Sequence, residues 1–156
     1  TISSARVLIT ASDNTGPMPF EETVTSINRS GSVATVAHTA HGLVSGKKVL
    51  IKGAVEQEYN GIFVITNVSA NAYDYTVSGT PATPANGTIK ATGVVIDGTT
   101  DGSGLITDNR PHASNQPITG RVRKATGSPI YRTGSISGII SSTTGFSSTI
   151  QLIRDE

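Results

Sequence analysis

Apolar and polar residues alternate along this chain in short runs that end at turn residues. The runs are Ala5 to Thr10, Thr23 to Ile27, Ser32 to His38, Lys47 to Lys52, Ile62 to Val68, Tyr73 to Val77 and Gly87 to Ala91. Three more follow a glycine-rich stretch, at Ile118 to Lys124, Ser135 to Ser141 and Ser147 to Ile153. A period of two sends successive side chains to opposite faces, which is the pattern of a strand with one face covered. Gly or Pro interrupts the chain too often for helices of ordinary length. The longest segment free of both, Ile62 to Ser78, is dominated by β-formers and Asn. Turn signals recur roughly every 8 to 12 residues, the spacing produced by sandwiches and small barrels. The pattern predicts an all-β fold: two small β-barrel or β-sandwich units with an extended N-terminal segment.

The runs group into regions. Residues 23–92 read as one closed unit, because short turns at Arg29 to Gly31, His41 to Gly46 and Tyr59 to Gly61 join its strands. Its core candidates are Val49, Ile51, Phe63, Ile65, Tyr73 and Tyr75. Pro81 and Pro84 make Gly79 to Gly87 an edge or a surface loop, since proline donates no ladder hydrogen bond. Residues 93–156 form a second unit that opens on the loop Asp97 to Gly104. In its last run Ser148, Ile150 and Leu152 fall on one face and Thr149, Gln151 and Ile153 on the other, so that strand is expected to be covered on both sides. Residues 1–22 read as an N-terminal strand or arm with a Gly-Pro-Met-Pro tether at Gly16 to Pro19.

Composition sharpens the picture. Among 156 residues, 40 are Ser or Thr, 17 are Gly, none is Trp and seven are aromatic. Buried apolar surface stabilises by about 25 cal/mol per Å², so cores this poor in large side chains are thin, and stability is expected to come partly from association. With no cysteine there is no disulfide framework, thiolate metal site or cysteine nucleophile. The uncharged stretch Ile62 to Tyr73 is too short and too rich in Asn and Ser to cross a bilayer, which takes about 20 apolar residues. Thr1 to Arg6 lack the features of a secretory signal. The expectation is a soluble protein made in the cytoplasm, with no membrane partner. A net charge of +1 argues against general nucleic-acid binding. Charge is uneven, however: between Asp108 and Asp155 the charged residues are Arg110, Arg121, Arg123, Lys124, Arg132 and Arg154, with no acid among them.

Few residues are arranged for chemistry. His38 and His41 are three apart, His112 is the remaining histidine, and no carboxylate cluster completes a metal site. Asp97, Asp101 and Asp108 flank DGTTDGSGLITD, whose spacing departs from the calcium loop of EF-hands and suits β-turns. The same loop lacks the lysine of a phosphate-binding loop. No serine lies in a GxSxG elbow, and Glu56 with Glu58, or Glu21 with Glu22, are adjacent carboxylates that a loop ordinarily leaves solvated. No enzymatic activity, cofactor or metal is expected. The basic band is the sharpest candidate: Arg121 and Arg123 alternate on one strand and point the same way, and with Lys124 and Arg132 they are the candidate docking residues for an acidic protein partner.

Some stretches resemble known modules. TVAHTAHGLVSGKKV, beginning at Thr35, followed by IKGAVEQEYNGIFVITNVSANAYDYTVSGTPATPANGT, resembles a module of tailed-bacteriophage structural proteins, the small β-barrel of the FCCH type found in ubiquitin-activating enzymes. The landmarks are His41-Gly42-Leu43, Gly46, the strand Val49 to Gly53, Tyr59-Asn60-Gly61, Phe63, Tyr73, Tyr75 and Gly79 with the Pro-rich loop after it. Nothing in the chain matches the catalytic machinery of those enzymes, so the resemblance implies a binding or packing module. ITGRVRKATGSPIYRTGSISGIIS and GFSSTIQLIRDE are similar to C-terminal β-sandwich modules of phage head and tail proteins. Together these imply a non-enzymatic virion structural protein, a capsid decoration or cement protein. Its partners would be the major capsid protein or other virion subunits, and it would form a homo-oligomer on the particle. A tail, neck or fibre subunit is the alternative within that class. From another class comes a host-surface carbohydrate-binding module stacking sugars on Tyr59, Tyr73, Tyr75 and Tyr131.

Overall fold

The computed structural model describes residues 2–108, 115–124, 126, 129–141 and 143–154; Arg110 and His112 lie outside them. The described residues form strands β1 (Arg6–Ala11), β2 (Glu22–Thr23), β3 (Ser26–Ser30), β4 (Val33–Ala37), β5 (Lys48–Ala54), β6 (Gly61–Val64), β7 (Ala72–Thr76), β8 (Gly87–Thr99), β9 (Gln116–Lys124) and β10 (Tyr131–Ile140), with one 3-10 turn at Gln57–Tyr59. The fold is all-β, and among the described residues no helix is long and apolar enough to cross a membrane. The chain divides into two compact units, one made of Thr1–Gly16 with Val95–Glu156 (unit 1) and the other of Pro17–Val94 (unit 2).

Unit 2 is built from two sheets and is not a closed barrel. β3, β4 and β7 form one in the order β3-β4-β7, while β2, β5, β6 and the first part of β8 belong to the other. The sheets meet at corners: Thr66 and Asp74 exchange backbone hydrogen bonds of 2.8 and 2.9 Å, and Thr25 donates to the Ala37 carbonyl at 2.8 Å just after β2 has left β8. The alternation predicted for this region fixes the core. Val49, Ile51, Ile65, Tyr73 and Tyr75 are buried with Ile27, Val36 and Tyr59, whereas Phe63 is half-buried and stacks on Tyr75 with ring centroids 4.1 Å apart. A bulge between Lys52 and Ala54 lets β5 and β8 stay paired around Gly53 and Gly87, at φ +89° and +114°. A Cβ on either glycine would overlap backbone of the opposite strand, so the bulge requires both.

In unit 1 the sheet order is β10-β9-β1, with the end of β8 beside β1. β1 and β9 are antiparallel in unbroken register from Arg6 opposite Arg123 to Ala11 opposite Ile118. Val7, Ile9, Ile118 and Val122 form the buried face. The segment covering this face is irregular, and a cavity of about 680 Å³ lies between the sheet and the residues Gly104–Asp108 and Thr144–Ser148.

Three expectations are corrected. Residues 1–22 are not an arm: β1 is hydrogen-bonded along its length to β9, and the supposed tether is the start of unit 2, with Met18 and Pro19 buried and the Pro19 carbonyl accepting from Gly93 at 2.8 Å. β8 does not stop at Ala91 but runs on to Thr99, because Ala91 to Val95 are buried at every position and so lack alternation. Ser147 to Ile153 is not a strand: the Ile153 carbonyl accepts from the Arg132 amide at 2.8 Å, next to the isolated bridge of Arg154 with Tyr131, and Ile153 is 69% exposed where cover on both sides was expected.

Candidate functional site

The polar residues of unit 2 are held in structural hydrogen bonds. His41 is buried, its Nε2 lies 2.9 Å from the Ser69 carbonyl, and its Nδ1 accepts from the Leu43 amide at 3.0 Å. A carbonyl demands a proton on Nε2 and an amide demands a lone pair on Nδ1, so His41 is the neutral Nε2–H tautomer with no nitrogen left for a metal. His38, also buried, sets Nε2 3.0 Å from Glu22 Oε2, and the Tyr73 hydroxyl reaches its Nδ1 at 3.4 Å. Burial pushes the His38 pKa below its ordinary value, against the pull of the Glu22 carboxylate. The His38, His41 and Tyr73 rings pack together at 5.0 to 6.0 Å between centroids. His41 also sits before Gly42, whose φ of +61° brings it so close to the Pro17 carbonyl that a Cβ would not fit.

Tyr59, Tyr73 and Tyr75 are 0 to 1% exposed, which removes the sugar-stacking faces expected of them. The Tyr59 hydroxyl donates to the Ala82 carbonyl at 2.9 Å, tying down the Pro-rich loop, and the Tyr75 hydroxyl donates to the Tyr59 carbonyl at 3.1 Å. Burial raises the pKa of Tyr73 and Tyr75, keeping both neutral. Asn60 acts as a surrogate peptide group: its Nδ2 donates to the Ala54 carbonyl at 2.8 Å and its Oδ1 accepts from the Ala54 amide at 3.0 Å. Glu56 accepts from the Asn86 amide and side chain at 2.9 and 2.7 Å, bonds that lower its pKa. That makes it a loop clasp.

In unit 1, Asp101 Oδ1 accepts from the Ser103 and Leu105 amides at 2.8 and 2.9 Å, and Gly104 donates to the Asp101 carbonyl at 3.0 Å. The carboxylate closes its own turn. Among the described residues, no group of three or more His, Cys, Asp or Glu side chains is placed to hold a metal ion.

What remains is the outer face of the unit 1 sheet. On β9 the burial alternates strictly, so Thr119, Arg121 and Arg123 point outward and are exposed. Arg121 stands opposite Leu8 on β1 and Ser135 on β10; Arg123 stands opposite Arg6. Arg6 was missed in the sequence because its partner strand is more than a hundred residues away. Its guanidinium is paired with Asp97 and donates to the Val7 and Gly98 carbonyls at 3.0 and 3.1 Å, which makes the arginine opposite it tolerable. Among the described residues Arg121 and Arg123 have no ion-pair partner. The other two candidates fall out of this row. Lys124 is half-buried opposite Tyr131, and Arg132 lies within the register shift between Tyr131 and Gly134, its amide bonded to the Ile153 carbonyl at 2.8 Å. Further along the same face, Ile139 on β10 is 61% exposed and stands opposite Pro117. The surface is thus an arginine row flanked by apolar and hydroxyl side chains, suited to a protein surface carrying carboxylates.

Set against models of known families, curated proteins and solved structures, the chain matches none.

Proposed function

We propose that this chain is a non-enzymatic structural subunit of a tailed-bacteriophage particle, a capsid decoration protein that docks on the assembled shell through the outer face of its β10-β9-β1 sheet. The observation that carries the reading is the exposed pair Arg121 and Arg123, set in a regular sheet without ion-pair partners among the described residues. The residues with chemical potential elsewhere, His38, His41, Glu56, Asn60 and Asp101, are used to hold loops and corners. The partner is a shell subunit presenting carboxylates, the major capsid protein in this reading. Repetition of the site over a symmetric shell turns a modest contact into stable attachment.

Co-sedimentation with empty shells, and separately with isolated tails, tests the proposal. Binding to shells is expected, to weaken with added salt, and to drop by about tenfold or more in Arg121→Glu/Arg123→Glu, since reversed charge sets like against like. Binding to tails alone would reassign the protein to the tail or neck. Binding to neither would sink the virion reading, and shell binding indifferent to charge reversal would remove the arginine row from it.

A further inference from the structure

Unit 2 has a basic face of its own. Within its sheet of β2, β8 and β5, Lys90 on β8 stands opposite Thr23 on one neighbour and Lys52 on the other. Residues directly opposite in antiparallel strands share a face, so two ammonium groups and a hydroxyl lie in one row, and Lys90 Nζ donates to Thr23 Oγ1 at 2.9 Å. Among the described residues neither lysine makes an ion pair. Glu22, next to Thr23, is turned to His38, and Glu21 is paired with neither lysine. Like charges directly opposite cost stability, which neutral polar residues at these positions would not. The adjoining row is apolar. Leu50, two residues before Lys52 and on its face, stands opposite Ile62 on β6; both are half-buried, and Val64 beyond them is 51% exposed.

We propose that this face is a docking site for a protein surface that sets carboxylates beside an apolar side chain. A carboxylate seated at Lys52 and Lys90 replaces their mutual repulsion with attraction at both. The apolar row decides which kind of anion fits. A partner protein covers Leu50, Ile62 and Val64 with its own apolar atoms, the arrangement of an interface with an apolar centre and a charged rim. A phosphate polymer gains nothing from them, and two lysines neutralise too few phosphates to hold nucleic acid by charge alone. The face lies in a different unit from the row of Arg121 and Arg123, and the inference does not rest on the virion reading.

The test titrates the isotope-labelled full chain with a glutamate–tyrosine copolymer, followed by nuclear magnetic resonance. Poly-glutamate, duplex DNA and inorganic phosphate are the comparison arms at matched ionic strength. The copolymer is expected to shift the amide resonances of Lys52, Lys90, Leu50 and Ile62, and to bind at least about threefold tighter per glutamate than poly-glutamate. Lys52→Glu/Lys90→Glu is expected to weaken that binding about tenfold or more, whereas Arg121→Glu/Arg123→Glu leaves the shifts at these four residues in place. A second readout needs no ligand: Lys52→Gln removes one of the two opposed charges and is expected to raise the melting temperature of the free chain. Circular dichroism confirms the fold of each variant. Four results would each overturn the proposal: no shift at these residues, poly-glutamate, DNA or phosphate bound there as tightly as the copolymer, binding indifferent to reversal of both lysines, or a Lys52→Gln chain that melts below the native one.

Discussion

Unit 2 buries three of the four tyrosines, and each hydroxyl reaches a partner inside the unit: the Ala82 carbonyl, the Tyr59 carbonyl or His38. Unit 1 has the fourth, Tyr131, half-buried on an edge strand, and its apolar sheet face borders a cavity of about 680 Å³. The difference is in what covers a sheet. In unit 2 a second sheet lies over the first, and alternating strands from both supply the core. In unit 1 the cover is Ser- and Gly-rich irregular chain, with Phe146 and Ile150 against the glycines Gly138 and Gly134. A sheet covered this way gains less from its own core.

The comparison breaks if the two cores respond alike to mutation. The largest effect is expected from Tyr75→Ala, which removes a buried ring stacked on Phe63 and a buried hydroxyl; a loss of about 3 to 5 kcal/mol in chemical denaturation would match a close-packed aromatic core. Next comes Gly53→Ala, expected to cost about 1 to 3 kcal/mol because a side chain there meets both an unfavourable φ and the opposing strand. A matched pair of swaps then sharpens the contrast. Val36→Leu in unit 2, at a position with no exposed surface, is expected to cost about 1 to 3 kcal/mol through overpacking. Val122→Leu in unit 1, beside the cavity, is expected to fall within about 0.5 kcal/mol of native stability. Equal costs for the two would show that unit 1 is packed as tightly as unit 2.

The smallest effect is one of pH. The His38 pKa is lowered in the folded state, so the unfolded chain takes up a proton first as pH falls. The stability tied to neutral His38 is therefore complete above its ordinary value near pH 6.5 and is lost as pH falls from there toward the lowered folded value. Thermal melts of the native chain between pH 7 and pH 5 should fall more steeply than those of His38→Gln, which has no imidazole to titrate. Parallel curves would mean that His38 is not held neutral.

Sequence patterning revealed most of unit 2 because its strands have one covered face: Val49 and Ile51, then Tyr73 and Tyr75, alternate with polar neighbours and are buried as a period of two requires. The same reasoning shortened β8, where covering both faces erases the period, and invented a strand at Ser147 to Ile153, where alternation exists but Thr133 to Ile139 offers it no ladder. For the site, Arg121 and Arg123 were legible because they share one strand. Arg6 was not, since its place opposite Arg123 depends on a pairing between distant segments. Lys124 and Arg132 look equivalent to their neighbours along the chain until a strand end and a register shift separate them. Tyr73 and Tyr75 were legible as core candidates, and the sugar-stacking alternative fails with their burial, but Tyr59 was not read as core: a phenol is buried only where its hydroxyl finds a partner, and the Ala82 carbonyl is a partner that folding creates.

The burial of Tyr59, Tyr73 and Tyr75 in one unit also decides how the protein looks to an optical instrument. Without tryptophan, near-ultraviolet dichroism draws chiefly on fixed phenols, and three of the four tyrosines are fixed in Pro17–Val94, so that signal is weighted toward this unit. A calorimeter, by contrast, registers heat from the entire chain. Running the two on one sample compares the melting of Pro17–Val94 with that of the whole chain, without a label, a tag or a truncation.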